Sequence, residues 1–322
     1  MSDAARMTQV MSDTTSSRPP SPLLHQRILD WYAQEARDLP WRNPSTSPWG
    51  VLVSEVMLQQ TPVVRVEPVW REWMSRWPSP AALAASTPGD AVRAWGRLGY
   101  PRRALRLHAA ASAMVGRHQG RVPDSYDALL TLPGVGSYSA AAVASFAFGL
   151  RAAVVDTNVR RVLARVVSCS AQAAPSLTRA ETALALSVLP PDDPTTSSWN
   201  VAVMELGALI CTARSPRCES CPVADLCAWQ SAGRPAYEGP VRLAQPWHGT
   251  DRQARGRLMA VMRDATGPVT ATRLARAWPG DPAQSERCVD SLVSDGLLEP
   301  LSRQRFQLPG PRADNSRLED AG

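Results

Sequence analysis

Four cysteines fall within seventeen residues, as Cys211, Cys218, Cys221 and Cys227, with six, two and five residues between them. Four thiolates so close in sequence can enclose one metal centre. A zinc ribbon usually presents two C-x2-C knuckles separated by a longer loop. Here one C-x2-C pair is flanked by two lone cysteines on unequal arms. That pattern suits the bulkier core of a 4Fe–4S cubane better than a single zinc ion. A pair of disulfides is the third reading, disfavoured because little else in the chain points to secretion. Arg214 and Arg217 lie inside the first arm. A metal centre would fix them as a rigid cationic loop suited to phosphate contact.

Two carboxylates stand out from apolar surroundings. Glu55 lies within Trp49–Thr61, and on a helix its neighbours three and four residues away are Val51, Leu52, Leu58 and Gln59. A lone carboxyl on such a face either points to solvent from the helix edge or is desolvated. Desolvation raises its pKa and makes it a candidate general acid near neutral pH. Asp156 follows the apolar run Ala152–Val155 and precedes a helical pattern. It reads as a helix N-cap. It also reads as a carboxylate at a cavity mouth, able to steady a cationic sugar as in glycoside hydrolysis. Pattern alone separates neither pair of readings. Between two helical patterns lies Leu132-Pro133-Gly134-Val135-Gly136. Two glycines one residue apart permit a tight hairpin with outward N–H groups, a phosphate site needing no side-chain charge. The alternative is an ordinary helix–helix turn.

These residues need a scaffold. Apolar residues recur at helical spacing in Leu23–Glu35, Trp49–Gln60, Ala91–Leu98, Ala104–Val115, Ser137–Phe148 and Val159–Val167. Strand-like alternation is nearly absent, so residues 22–231 read as all-α. Residues 1–21 and 311–322 read as polar, disordered tails, and 232–250 as a Pro- and Gly-rich linker. Residues 251–310 read as a separate small unit. It has helical patterns at Gln253–Met262, Ala271–Trp278 and Ala283–Val293, then a hairpin-like stretch Leu297–Leu308, an order that resembles a winged helix.

All 35 basic residues are arginine, against 29 acidic ones, for a net charge of +6. The absence of lysine rules out imine chemistry on a side-chain amine and the P-loop lysine. Residues 22–245 carry 22 Arg against 17 Asp and Glu, which places the expected anion-binding face on the first unit. The long uncharged stretch from Ala128 to Leu150 is interrupted by Pro133, Gly134 and Gly136, against a membrane span. With no secretory signal read at the N-terminus, the expected compartment is cytoplasmic, at the bacterial nucleoid. Cys169 and Cys288 are expected to be buried thiols.

Ser54-Glu-Val-Met-Leu-Gln-Gln-Thr61, the hairpin Leu132–Gly136, Val155-Asp-Thr-Asn-Val159 and the cysteine cluster occur in that order. Together they resemble the helix–hairpin–helix DNA glycosylases of the endonuclease III-like superfamily, and within it the MutY-type adenine DNA glycosylases. The resemblance covers roughly residues 24–230. It implies a six-helix barrel at about 46–152 and an iron–sulfur subdomain from about 22–45 and 153–231. It further implies a 4Fe–4S cluster on the four cysteines and, as substrate, duplex DNA with adenine opposite 8-oxoguanine or guanine, bound by a single copy of the chain. Glu55 would protonate the flipped adenine and Asp156 would steady the oxocarbenium-like sugar, with Tyr138 and Asn158 in support. Trp41, Arg42 and Leu58 would line the base pocket. Gln60 and Tyr100 would wedge into the duplex, and Leu132, Gly134 and Gly136 would hold its backbone. Flipping is required because the glycosidic bond is out of reach inside the stack.

Tyr138 separates relatives. Endonuclease III carries a lysine at that hairpin position for its lyase step, whereas this chain has tyrosine and no lysine at all. Mismatch thymine glycosylases can carry tyrosine there but typically lack a glutamate equivalent to Glu55. A thymine or uracil mismatch glycosylase is thus the second reading, and a non-catalytic DNA-binding iron–sulfur regulator the third. Two departures stand out. Val201 replaces the family's usual Gln or Glu, and the region after residue 245 does not match the Nudix-like domain that senses 8-oxoguanine. Residues 1–245 are therefore expected to suffice for excision, with opposite-base discrimination coming mainly from Gln60 and Tyr100.

Overall fold

The computed structural model describes residues 22–239 and 246–310. The expected tails, and residues 240–245 of the expected linker, lie outside the described residues. Helix α1 (Pro22–Glu35) leads through a 3-10 turn (Pro40–Arg42) into α2 (Pro48–Leu58). There follow α3 (Val63–Arg76), α4 (Pro80–Ala84), α5 (Pro88–Ala94), α6 (Arg102–Arg117), α7 (Tyr126–Leu130) and α8 (Ser137–Phe148). Then come α9 (Thr157–Val166), α10 (Arg179–Ser187), α11 (Asp193–Leu209), two 3-10 turns (Cys218–Ser220 and Ala224–Leu226) and α12 (Ala228–Ser231). Seven helical segments, α2 to α8, fall between residues 46 and 152, and two of them, α4 and α7, are only five residues long. Helix α3 escaped the periodicity reading, although Val66, Trp70, Trp73 and Trp77 recur at helical spacing and are all buried.

Helix α2 begins at Ser47, whose side chain caps Gly50 N–H, and Pro48 follows at the first helical position. Every residue from Trp49 to Met57 is buried, so α2 runs through the centre of the core. Around it Trp73 meets Trp77 and Trp95 edge-to-face, with ring centroids 4.9 and 5.5 Å apart. A second apolar cluster joins Leu24 and Ile28 of α1 to α9, α11 and Trp229. The cleft opens between these two clusters.

The C-terminal segment has α13 (Asp251–Asp264), β1 (Val269–Thr270), α14 (Ala271–Ala277), α15 (Pro282–Ser294), β2 (Glu299–Leu301) and β3 (Arg305–Gln307). Its antiparallel sheet has the order β1-β3-β2, with Val269 opposite Phe306 and Pro300 opposite Phe306. The fold is thus mostly helical, with a small winged-helix-like sheet at the end. The expectation of a separate unit meets a correction. Leu258, Met259, Met262, Leu292, Leu297 and Leu308 belong to the same buried cluster as the barrel tryptophans. Gly89 N–H donates to Pro309 O at 2.7 Å, and the Arg93 guanidinium reaches the carbonyls of Arg263 and Ala265. Asp295 pairs with Arg102 at 3.0 Å. Alternating patterns mark amphipathic faces but do not say which neighbour covers them. Cys288 is buried as expected, whereas Cys169 is exposed.

Candidate active site

Glu55 occupies the cleft-facing side of α2, 5% exposed. Tyr138, second residue of α8, donates its hydroxyl to Glu55 Oε2 at 3.0 Å. Burial pushes the Glu55 carboxyl up to about 7, and the nearby Asp156 charge adds to the rise. The Tyr138 hydrogen bond and the Arg42 charge oppose it without cancelling it. Of the two readings of Glu55, the structure takes the desolvated one.

Asp156 does both things its position suggested. It caps α9, accepting from Asn158 N–H at 2.8 Å and Val159 N–H at 2.6 Å, and it lines the same cleft as Glu55. Burial raises its pKa, while the cap bonds, the Asn158 amide and the Arg161 charge pull it down. Asn158 does not line the cleft. Its Nδ2 donates to Asp156 Oδ2 at 2.7 Å, and its Oδ1 accepts from Arg161 at 2.8 Å, so it orients the carboxylate from behind.

The cleft has a volume of about 1000 Å³. Trp41, Arg42, Leu58, Gln60, Gly134, Gly136 and Val201 line it along with Glu55, Tyr138 and Asp156. Tyr100 lies outside it, 45% exposed on an adjoining turn. Gln60 and Tyr100 both sit at left-handed backbone angles, φ 55° and 48°, which only a well-held turn sustains in non-glycine residues. Leu132 is buried, and its carbonyl accepts from Val135 N–H, so its side chain cannot reach a ligand. Gly134 has φ 77°, and a Cβ there would come within 2.5 Å of Arg106 Cβ. The N–H groups of Gly134 and Gly136 take no acceptor among the described residues, which leaves donors free at the start of α8.

Two arginines that sequence reasoning missed hold this geometry. The buried Arg103 donates to the carbonyls of Val56, Met57 and Gln59 at the end of α2, to Thr61 Oγ1 and to Gly99 O. It thereby ties the Gln60 turn to the Tyr100 turn. Arg37, with Arg42, converges on the fully buried Glu205 of α11. Glu205 accepts from Arg37 Nε and Nη2 and from Arg42 Nη2, each at 2.7 Å, which holds Arg42 at the cleft wall. These donors outweigh burial and hold the Glu205 carboxyl down to about 2. Glu205 was legible by the signal that flagged Glu55, a lone carboxyl on an apolar helix.

The four cysteines line one small cavity of about 20 Å³ together with Arg165, Leu206, Ile210 and Trp229. None is in a disulfide. Four unpaired thiols around one shared cavity are a soft donor set for a metal centre, and their uneven spacing along the chain fits a multi-iron cluster. Arg165 Nη1 reaches Cys211 Sγ at 3.4 Å, a donor that would offset thiolate charge.

The family model described as HhH-GPD superfamily base excision DNA repair protein matches residues 53–186, and the iron–sulfur binding domain of endonuclease III matches residues 211–227. The adenine DNA glycosylase of Mycobacterium tuberculosis (strain ATCC 25618 / H37Rv) is 53% identical over 284 residues, 88% of this chain and 92% of that protein. The Mycolicibacterium smegmatis protein of the same name is 52% identical, over 88% of this chain and 95% of its own. The human adenine DNA glycosylase is 41% identical over 209 residues, 62% of this chain and 38% of its own. A solved thermostable thymine-DNA glycosylase superposes with a TM-score of 0.58 at 28% identity, over 65% of this chain and 96% of that one. The chain belongs to the adenine DNA glycosylase family of helix–hairpin–helix base excision DNA repair proteins, whose iron–sulfur domain it carries. No described helix is long and apolar enough to cross a membrane.

Proposed function

We propose that this protein hydrolyses the N-glycosidic bond of adenine mispaired with 8-oxoguanine or guanine, acting as a single copy on duplex DNA. The observation that carries this reading is the pairing of Glu55, buried and poised near pH 7, with Asp156 across one cleft. The flipped adenine lies between Trp41, Arg42 and Leu58. Glu55 donates its proton to a ring nitrogen of the base as the bond to the sugar carbon breaks, and the bonding electron pair leaves with the base. The Asp156 carboxylate stabilises the cationic sugar. Water then bonds to the sugar carbon, and the proton it releases restores Glu55. Without lysine, no side-chain imine forms, and the product is an abasic site in an uncut strand.

Gly134 and Gly136 offer backbone donors to a phosphate, and Gln60 and Tyr100 hold the duplex open. Cys211, Cys218, Cys221 and Cys227 hold a 4Fe–4S cluster that stiffens the loop carrying Arg214 and Arg217. We place the functional divisions at residues 22–231 and 251–310. Val201 offers the base no hydrogen bond, which leaves adenine recognition to its neighbours in the cleft. The test is incubation with duplexes bearing A opposite 8-oxoguanine, A opposite G, T opposite G and U opposite G, followed by alkali. Strand scission at adenine is expected. Scission at thymine or uracil, or none at all, would overturn the reading.

A further inference from the structure

The wedge turn does not stand alone. Arg252, in the first turn of α13, sets its guanidinium 5.2 Å from the Tyr100 ring and 5.3 Å from the Trp247 ring. Tyr100 and Trp247 are 45% and 48% exposed, and Arg252 itself is exposed. Among the described residues no carboxylate pairs with Arg252. The next arginine on the same helix is used differently. Arg255 pairs with Asp295 at 2.5 Å, and Asp295 also pairs with Arg102, two residues past Tyr100. The Asp295–Arg102 pair fixes the C-terminal segment against the Tyr100 turn, Arg255 holds Asp295 from its own side, and the shared apolar cluster seals the contact. Arg103 fixes the turn from the barrel side. What remains is an exposed row of ring, guanidinium and ring on two rigid supports, with a free cation at its centre.

We propose that Trp247, Arg252 and Tyr100 form one reading edge for the base opposite the extruded nucleotide. This rests on the proposed excision of adenine and deepens it. Aromatic faces stack on an unpaired base whatever its identity. A guanidinium has only donors, in a fork that matches the paired O6 and N7 acceptors of guanine; 8-oxoguanine keeps the O6 acceptor but carries a hydrogen on N7, and cytosine presents an amino donor instead. The edge therefore favours keto purines, guanine and its 8-oxo form, over cytosine. It also gives the C-terminal segment a defined share in a discrimination that the sequence assigns mainly to the core.

The experiment compares single-turnover excision of adenine opposite 8-oxoguanine, guanine and cytosine by wild type, Arg252→Ala, Arg252→Lys and Trp247→Ala. Equilibrium binding of the same three duplexes is measured in parallel in a Glu55→Gln background. Arg252→Ala is expected to lower the preference for keto purines over cytosine about 10-fold. Arg252→Lys keeps the charge but not the fork and should lose most of the preference for guanine over cytosine, while Trp247→Ala loses less. Wild-type ratios in Arg252→Ala, or an equal loss on all three duplexes, would overturn the proposal. If Arg252→Ala does not fold, Arg252→Lys with an unchanged melting temperature decides by the same ratios. Wild-type protein that excises no adenine would sink the proposed function, while the binding ratios would still test the reading edge on its own.

Discussion

Two buried glutamates, Glu55 lining the cleft and Glu205 behind its Arg42 wall, end in opposite states. Glu55 on α2 accepts one hydrogen bond, from a neutral tyrosine hydroxyl. Glu205 on α11 accepts four, all from Arg37 and Arg42, three from their guanidinium groups and one from the Arg37 backbone. Burial raises both, yet Glu55 rises to about 7 and Glu205 falls to about 2. Burial alone thus does not set a carboxyl's role. The donors do, with a charged pair locking one group as a structural anion and a lone neutral donor leaving the other able to hold a proton. The locked glutamate fixes Arg42, and Arg42 is one of the two groups that restrain Glu55 from rising further.

The contrast is broken most severely at the acid itself. Glu55→Gln keeps the shape but has no proton to give, and excision should fall by about 10²–10⁴-fold while mismatch binding persists. Asp156→Asn keeps the helix cap and removes the charge facing the sugar, for a loss of about 10²–10³-fold. Single-turnover assays with matched binding titrations check both. Near wild-type rates in either variant would remove that residue from the chemistry.

Glu205→Ala attacks the other member of the pair. It leaves two guanidinium groups without their anion, one of them at the cleft wall. Denaturant unfolding should show a loss of about 3–5 kcal/mol. An unchanged midpoint would mean that solvent replaces the carboxylate without cost.

Glu55 should also trade stability for function. Its folded pKa lies above its ordinary value, so the folded chain binds the proton more tightly than the unfolded one. Stability then falls as pH rises between that ordinary value and about 7, and stays lower above it. At pH 8 Glu55→Gln should be more stable than wild type, on the order of 2 kcal/mol, and the gap should shrink towards pH 5. Thermal melts at the two pH values check the sign, and a less stable variant at pH 8 would contradict it.

Much of this was readable beforehand, and the reasons are local. The helix pattern of Ser137–Phe148 matches α8, because Gly136 precedes it and Gly149 ends it in the left-handed region. Glu55 was found because a carboxyl breaks an apolar helix, and Asp156 because a cap residue precedes α9. What escaped is long-range. Arg37 and Glu205 are 168 residues apart in sequence, and Arg103 joins two turns whose proximity exists only after folding. The seating of α13 on the barrel was missed for the same reason, since an amphipathic helix names no partner. Cys169 was expected inside but lies exposed, at φ 55° in the turn after α9.

The most direct test of the acid assignment is the pH dependence of single-turnover adenine excision, in wild type and in Tyr138→Phe. The wild-type rate should hold at lower pH and fall as pH rises through about 7, as Glu55 loses its proton. Removing the Tyr138 hydroxyl takes away the bond that favours the charged carboxylate, so the fall should move to higher pH, by roughly one unit or less. A rate that stays flat from below to well above pH 7, or a midpoint that Tyr138→Phe moves downward, would contradict Glu55 as the buried acid.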